Sequence, residues 1–410
     1  MGAPRHDPRQ PHPPQPIALL LACARPVLIP RTSTHNTSLA LGLYVRAPST
    51  PPRKVGIDDH GKSNSTRGWL FGGRPVTRKI LSGRGQQFGV NLFRSVQAVA
   101  GASGDGPIDW EAVEEAAKAG TDPGELSVTD EEAQAYARDV REARDRVREA
   151  AAVEFDVPET AQILQRHHWI DANIETFARV MAPLENQRML LPEISRVVNT
   201  GTMSVMLSFL ARHVLGQYDP LLLAEGDDHA LYFVHPNIVR VADELDVAYP
   251  RFRRWIAIHE VTHAAEFGAA PWLSEYLESR VERGVNAMSG ARPTNIGFDR
   301  EAFRELNDAM TAVEGYAELV MDRAFEDQFV DIREKVDERR QGGDPLTQLL
   351  RQLLGLGLKR RQYERGRHFF EVVADARGLE ATSVVWEAPE NLPTSRELDH
   401  PHAWLDRVDP

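Results

Sequence analysis

The chain of 410 residues has a single cysteine, Cys23, so it contains neither an internal disulfide nor a cysteine cluster for a zinc knuckle or iron–sulfur centre. It also lacks a surplus of basic residues, because 48 Lys and Arg stand against 60 Asp and Glu. Nucleic-acid binding depends on clustered Lys and Arg that displace counterions from phosphates. We therefore expect no nucleic-acid partner.

Long apolar runs are missing as well. A membrane-spanning helix needs roughly 18 consecutive apolar residues, and the longest candidate, residues 203–215, is interrupted by Arg212 and His213. We expect no membrane span and a cytoplasmic protein. A minor alternative comes from the apolar segment IALLLAC at residues 17–23, where cleavage before Cys23 would give an exported lipoprotein, but prolines crowd the region that should carry its charge.

Residues 1–89 differ in composition from the rest of the chain. They hold 13 Lys and Arg, only 3 acidic residues and 12 of the 27 prolines, without lasting apolar periodicity. This composition predicts a disordered leader, or upstream sequence translated from a start codon placed too early, with the natural start near Val90. We accordingly assign one folded domain to residues 90–410.

Lysine is scarce in this domain, where it appears only at positions 118, 335 and 359, whereas arginine appears 32 times and acidic residues 57 times. Exposed carboxylates stay hydrated at high salt, where screening removes their mutual repulsion. The composition therefore predicts an acidic surface of the kind found in salt-loving organisms.

Apolar residues recur mostly with helical spacing, which predicts a mainly α (α+β) fold with a helical N-terminal part at about 107–216 and a second part at about 217–410. Thr129 and Glu132 have capping-box spacing ahead of a charged helix to about residue 152. Further helices are predicted at about 159–181, 186–199 and 203–216. The clearest strand is ALYFVH at residues 230–235, with residues 221–224 as a weaker partner. It is a candidate edge strand for an extended peptide, or a strand that only completes a small sheet.

The sequence HEVTH at residues 259–263 is the main chemical motif. Positions i and i+4 share one face of a helix, so His259 and His263 can reach one tetrahedral zinc while Glu260 acts as general base. The two histidines continue an apolar stripe. Two buried histidines with a purely structural role remain the alternative.

The third zinc ligand must come from another element, because Glu266 and Ala269 stand where the metzincin class has Gly and His. A helix predicted from Asp299 to Phe325 places Glu314 and Glu318 along the edge of its apolar stripe. Glu314 is our candidate zinc ligand, and Glu318 our candidate acceptor for the outer N–H of a ligand histidine. The reverse assignment, or a solvated pair without a metal, is compatible with the same spacing.

Four strings in this order, HEVTHAAEFGAAPWL, VEGYAELVMD, RQYERGRHFFE and WEAPENLP, resemble a family of prokaryotic zinc metallohydrolases. The family is often associated by label with biosynthesis of the deazaflavin hydride-carrying coenzyme. The resemblance covers about residues 92–408 and implies a zincin-like, gluzincin-type fold with a small β element beside the HExxH helix. It implies His259, His263 and Glu314 as zinc ligands and Glu260 as the catalytic glutamate.

Zinc chemistry of this type requires a donor for the developing oxyanion. Tyr316, Tyr363 and His368 are the candidates for an oxyanion or substrate contact. The leading prediction is a zinc metallopeptidase that acts on a peptide or protein substrate through activated water. The alternative is a helical scaffold or partner-binding protein with a structural or vestigial zinc site. The sequence predicts no cofactor other than Zn2+ and leaves the oligomeric state open.

Overall fold

The computed structural model describes residues 51–57, 84–151, 153–182, 192–219, 230–289, 299–341 and 360–410. Cys23, the segment IALLLAC and the weak strand predicted at residues 221–224 lie outside this part of the chain. Helices dominate, and a small sheet of four strands accompanies them, which confirms the mainly α fold.

Fourteen α-helices occur in the described residues. In chain order they are α1 Arg84–Ala100, α2 Trp110–Ala119, α3 Asp130–Ala151, α4 Arg166–Met181, α5 Pro192–His213, α6 His235–Glu244, α7 Tyr249–Ala269, α8 Leu273–Ser289, α9 Arg300–Phe325, α10 Val330–Gln341, α11 Arg360–Arg377, α12 Glu380–Ser383, α13 Ser395–Asp399 and α14 Pro401–Val408. No helix of the described chain is both long enough and apolar enough to cross a membrane.

The sheet has the strand order β1, β2, β4, β3, with β1 at Arg53–Gly56, β2 at Thr160–Leu164, β3 at Gly216–Asp219 and β4 at Ala230–Val234. β2 and β4 are parallel, whereas β1 and β3 are antiparallel to their neighbours. β4 therefore lies inside the sheet, and the prediction that it is an edge strand is wrong. The edge on that side, among the described residues, is β3.

Strand β1 falls within the predicted leader. It pairs with β2 from Arg53 opposite Ile163 to Gly56 opposite Thr160, and the next residue, Ile57, is buried in the main core. The prediction of a disordered or spurious leader at residues 1–89 therefore does not hold for this strand. Four residues between prolines and polar segments offer too short a pattern to read, and their pairing is with a distant part of the chain.

Two predicted helix boundaries also change. The helix expected from residue 159 begins at Arg166, because Thr160–Leu164 forms strand β2. The helices expected at 186–199 and 203–216 meet in the single helix α5, which ends at His213 before strand β3. A buried strand of five residues carries little periodicity of its own, so its long-range pairing decides the outcome.

The core consists of two clusters of buried side chains. The larger surrounds α7 and joins it to α3, α9, the sheet and the C-terminal helices, while the smaller lies between α2, α4 and α5. Helix α7 is buried on most of its circumference, with Phe252, Ile256, Ile258 and Val261 all nearly inaccessible to solvent. Burial on most sides gives the HExxH segment a fixed position.

Helices α9 and α11 approach each other backbone to backbone. A Cβ atom on Gly315 would lie 2.2 Å from the carbonyl carbon of Gly366, and a Cβ on Gly366 would lie 2.2 Å from the carbonyl oxygen of Thr311. Both positions therefore require glycine. Because Gly315 follows Glu314 directly, this crossing also fixes the part of α9 that carries the candidate metal ligand.

Candidate metal centre

Helix α7 brings the two motif histidines together. It begins at Tyr249 with Pro250 in its first turn, a position where the missing N–H of proline costs no helical hydrogen bond. His259 and His263 then lie one turn apart, and their Nε2 atoms are 3.2 Å apart. Both side chains are half-buried.

Helix α9 supplies the third member of the group. Its N-terminus is capped by Asp299, whose Oδ1 accepts hydrogen bonds from the backbone N–H groups of Glu301 and Ala302. Glu314 lies midway along this helix. One ligand atom from each of His259, His263 and Glu314 lies within 4.8 Å of the others, and this is the group of metal-binding side chains that the described residues contain.

The spacing of the histidines fits zinc. Two nitrogens bound to one tetrahedral zinc at 2.0–2.1 Å lie about 3.3 Å apart, close to the observed 3.2 Å. Two imidazole nitrogens and a carboxylate oxygen are also a common donor set of catalytic zinc sites. The side chains present therefore fit a zinc ion.

Glu266 is a member of the site that the sequence analysis missed. Its side chain is completely buried, and its Oε2 accepts a hydrogen bond of 2.7 Å from Nδ1 of His263. This contact leaves Nε2 of His263 as the nitrogen that faces His259. The spacing of three residues after His263, on the buried face of the helix, is the signal that could have identified it.

The buried carboxylates make the site favourable for positive charge. Burial opposes protonation of His263, but the hydrogen bond with Glu266 and the carboxylates of Glu314 and Glu260 outweigh it and raise the pKa of His263 to about 10. Burial raises the pKa of Glu266 to about 7 despite the opposing effect of His263. A cation between these groups would relieve the repulsion among the carboxylates.

Glu260 lies against strand β3. Its Oε2 accepts a hydrogen bond of 2.9 Å from the backbone N–H of Tyr218. Burial raises the pKa of Glu260 to about 7, while His263 and the Tyr218 N–H oppose that shift. A carboxyl group with a pKa near 7 can both accept and donate a proton at neutral pH, which general acid–base catalysis requires.

The structure corrects the interpretation of Tyr316. Its side chain is fully buried and its hydroxyl donates a hydrogen bond of 2.7 Å to the backbone carbonyl of Ala151. The ring packs edge-on against Phe370 and Trp386, and burial raises the pKa of the hydroxyl well above its usual value. Tyr316 is therefore part of the core and is not an oxyanion or substrate contact.

The other three candidates are less closely tied to the centre. Glu318 is half-buried one turn beyond Glu314. Glu266 accepts the outer hydrogen bond of His263. The predicted role of Glu318 as such an acceptor therefore stays a prediction for His259. His368 is exposed on α11, which argues against a contact in a closed site. Tyr363 lies on the same helix, but its side chain is outside the described part.

An HExxH helix beside a small sheet, with a glutamate from a second helix, defines a zincin-like protein. The family model of zincin-like metallopeptidases matches residues 108–405, and the chain belongs to this family.

Among solved structures, the chain is similar to a protein from Chloroflexus aurantiacus that is provisionally assigned as a hydrolase with a novel fold. The identity is 32%, the TM-score is 0.57, and the match covers 78% of this chain and 98% of the other. No curated protein matches the chain. The family and this neighbour support a hydrolase in the general sense.

Proposed function

We propose that the protein is a zinc-dependent hydrolase of peptide or amide bonds, with Zn2+ held by His259, His263 and Glu314. The observation that carries the proposal is the convergence of these three ligands next to Glu260. Structural zinc sites have four protein ligands, whereas catalytic sites have three and keep one position for water. The group of three within the described residues therefore supports a catalytic site.

When bound, zinc polarises a carbonyl group and lowers the pKa of water towards 7. Residues of the chain transfer the proton and orient a metal ligand. Glu260 accepts the proton of the attacking water and passes it to the leaving amine, a role that its place beside His263 and Glu314 supports. Glu266 holds His263 in the orientation in which Nε2 faces the other ligands.

Strand β3 supports a peptide as substrate. Leu215, just before the strand, accepts a hydrogen bond from the N–H of Val234, so the backbone groups of Gly216 and Tyr218 point away from β4. These groups form the edge that faces Glu260, because the Tyr218 N–H bonds to it. An extended peptide that pairs with the groups of this edge that are not bonded to Glu260 would pass directly beside the proposed general base.

Incubation of the zinc-loaded protein with a peptide mixture, followed by mass spectrometry of new termini, tests this function. We expect cleavage by the wild type and none by Glu260→Gln at equal zinc content. A wild type that holds zinc but cleaves neither peptides nor simple amides would contradict the proposal. It would favour the alternative of a helical scaffold with a structural zinc site.

Two finer predictions stay open beside this proposal. The association with deazaflavin coenzyme biosynthesis is a prediction of the family resemblance. A cytoplasmic location is a prediction of the sequence, and the exported alternative depends on Cys23, which lies outside the described residues.

A further inference from the structure

Strand β3 approaches Glu260 more closely than a strand with side chains could. We propose that Gly216 fixes the position of the Glu260 carboxylate and is therefore a positioning residue for hydrolysis, an inference that rests on the proposed function. A Cβ atom on Gly216 would lie 2.6 Å from Cγ, 2.7 Å from Oε1 and 2.8 Å from Cδ of Glu260. All three distances are well inside van der Waals contact.

The carboxylate of Glu260 is thus held from two sides by the same strand. The Tyr218 N–H binds Oε2 at 2.9 Å, and the bare α-carbon of Gly216 leaves room for Cδ and Oε1. Glu260 itself is only 7% exposed. Any side chain at position 216 would therefore force the carboxylate away from the Tyr218 N–H.

The strand has little freedom to yield instead. It is hydrogen-bonded to β4 along its length. On one face of the sheet, the side chain of Gln217 accepts a hydrogen bond of 2.7 Å from the indole N–H of Trp169 and donates one of 2.9 Å to Asn173. A strand held by β4 and by these side-chain hydrogen bonds transmits a clash to the more flexible partner, which is the Glu260 side chain.

Alanine is compatible with the backbone at this position, because Gly216 is not in the left-handed region that favours glycine. The effect of Gly216→Ala should therefore come from the contact with Glu260 rather than from backbone strain. Gly56 offers a matched control, since it lies in strand β1 at the opposite edge of the sheet and a Cβ there would meet nothing within 4 Å.

A double-mutant cycle of thermal stability on metal-free protein tests the contact. We expect Gly216→Ala to lower the melting temperature in the wild-type background but not in a Glu260→Ala background, where the clashing atoms are gone. Gly56→Ala should have the same small effect in both backgrounds. An equal loss from Gly216→Ala in both backgrounds would overturn the proposal.

Crystal structures and kinetics of Gly216→Ala test whether the Glu260 carboxylate is displaced and whether turnover falls as a result. In Gly216→Ala we expect the Glu260 carboxylate to have left the Tyr218 N–H, with the zinc content unchanged. A general base displaced by about 1 Å costs roughly 100-fold in turnover, so kcat should fall by about that factor with little change in KM. A wild-type kcat, or an unmoved Glu260, would overturn the proposal.

The double-mutant stability cycle needs neither zinc nor substrate. Its failure is therefore distinguishable from failure of the proposed function, in which the wild-type protein would show no turnover.

Discussion

Nδ1 of His263 donates a hydrogen bond of 2.7 Å to Oε2 of Glu266, three residues further along the same helix. Glu266 is completely buried, so the imidazole is oriented by a group that cannot rotate into solvent. Outer contacts of this kind orient the ring of a metal ligand and raise its basicity. Helix α7 therefore carries two candidate ligands, the candidate general base Glu260 and the group that aligns one of the candidate ligands.

Replacement of Glu266 by glutamine should weaken zinc binding by about 10–100-fold, because glutamine has nearly the same size but no negative charge to support His263. Competition with a chromophoric chelator measures this dissociation constant. Glu275→Gln is the control, since Glu275 is exposed on the next helix. Equal zinc affinity in the two variants would show that the Glu266 contact does not serve the metal.

Gly315→Ala should destabilise the fold by about 1–3 kcal/mol, because the new methyl group would force α9 and α11 apart at their closest approach. Chemical denaturation followed by circular dichroism measures the free energy of unfolding. Gly101→Ala is the control, as a Cβ there would make only ordinary contacts of 3.4 and 3.6 Å. A change no larger than that of the control would contradict the tight helix crossing.

A buried ion pair ties α7 to α3. Nε of Arg253 donates a hydrogen bond of 2.6 Å to Oδ2 of Asp139, and both side chains are largely buried. Asp139→Ala would leave the Arg253 charge without its partner and should cost about 3 kcal/mol in the free energy of unfolding. Asp145→Ala on the same helix removes an exposed carboxylate and should cost less than about 0.5 kcal/mol. Similar losses in the two variants would refute this role for the pair.

The pH dependence of stability has a testable source at the C-terminus. Glu397 is buried, which raises its pKa, but Arg407 and Thr394 outweigh burial and lower the pKa of Glu397 below 4.5. The contribution of ionised Glu397 to the free energy of unfolding is therefore present above about pH 4.5. It is lost as the pH falls through the lowered pKa of Glu397 in the folded protein.

Glu397→Gln should accordingly reduce the free energy of unfolding by about 2 kcal/mol at pH 7, and this difference should shrink as the pH falls below 4.5. Urea denaturation at a series of pH values measures it, with the exposed Glu390→Gln as control. A difference that is the same at pH 3 and pH 7 would contradict the assignment.

Much of the site was predictable because its signals are local. The HExxH spacing places two histidines on one helical face, and Asp299 marks the start of the helix that carries Glu314. The same rule of about 100° per residue could have excluded Tyr316, which lies two positions after Glu314 and therefore on the far side of the helix.

The missed features depend on distant parts of the chain. Strands β1 and β2 are short, and they are stabilised by pairing with each other and with β4 rather than by their own patterns. The approach of Gly216 to Glu260 joins residues from β3 and α7 that no periodicity relates. Sequence reasoning therefore identified the candidate ligands but not the strand that contacts Glu260.

The most direct test of the account is elemental analysis of zinc in the wild type, Glu260→Gln and Glu314→Gln after reconstitution and dialysis. We expect one zinc per chain in the wild type and in Glu260→Gln, because Glu260 is not among the three proposed ligands, and much less in Glu314→Gln, which loses one of them. Absence of zinc from the wild type, or full retention by Glu314→Gln, would contradict the proposed metal centre.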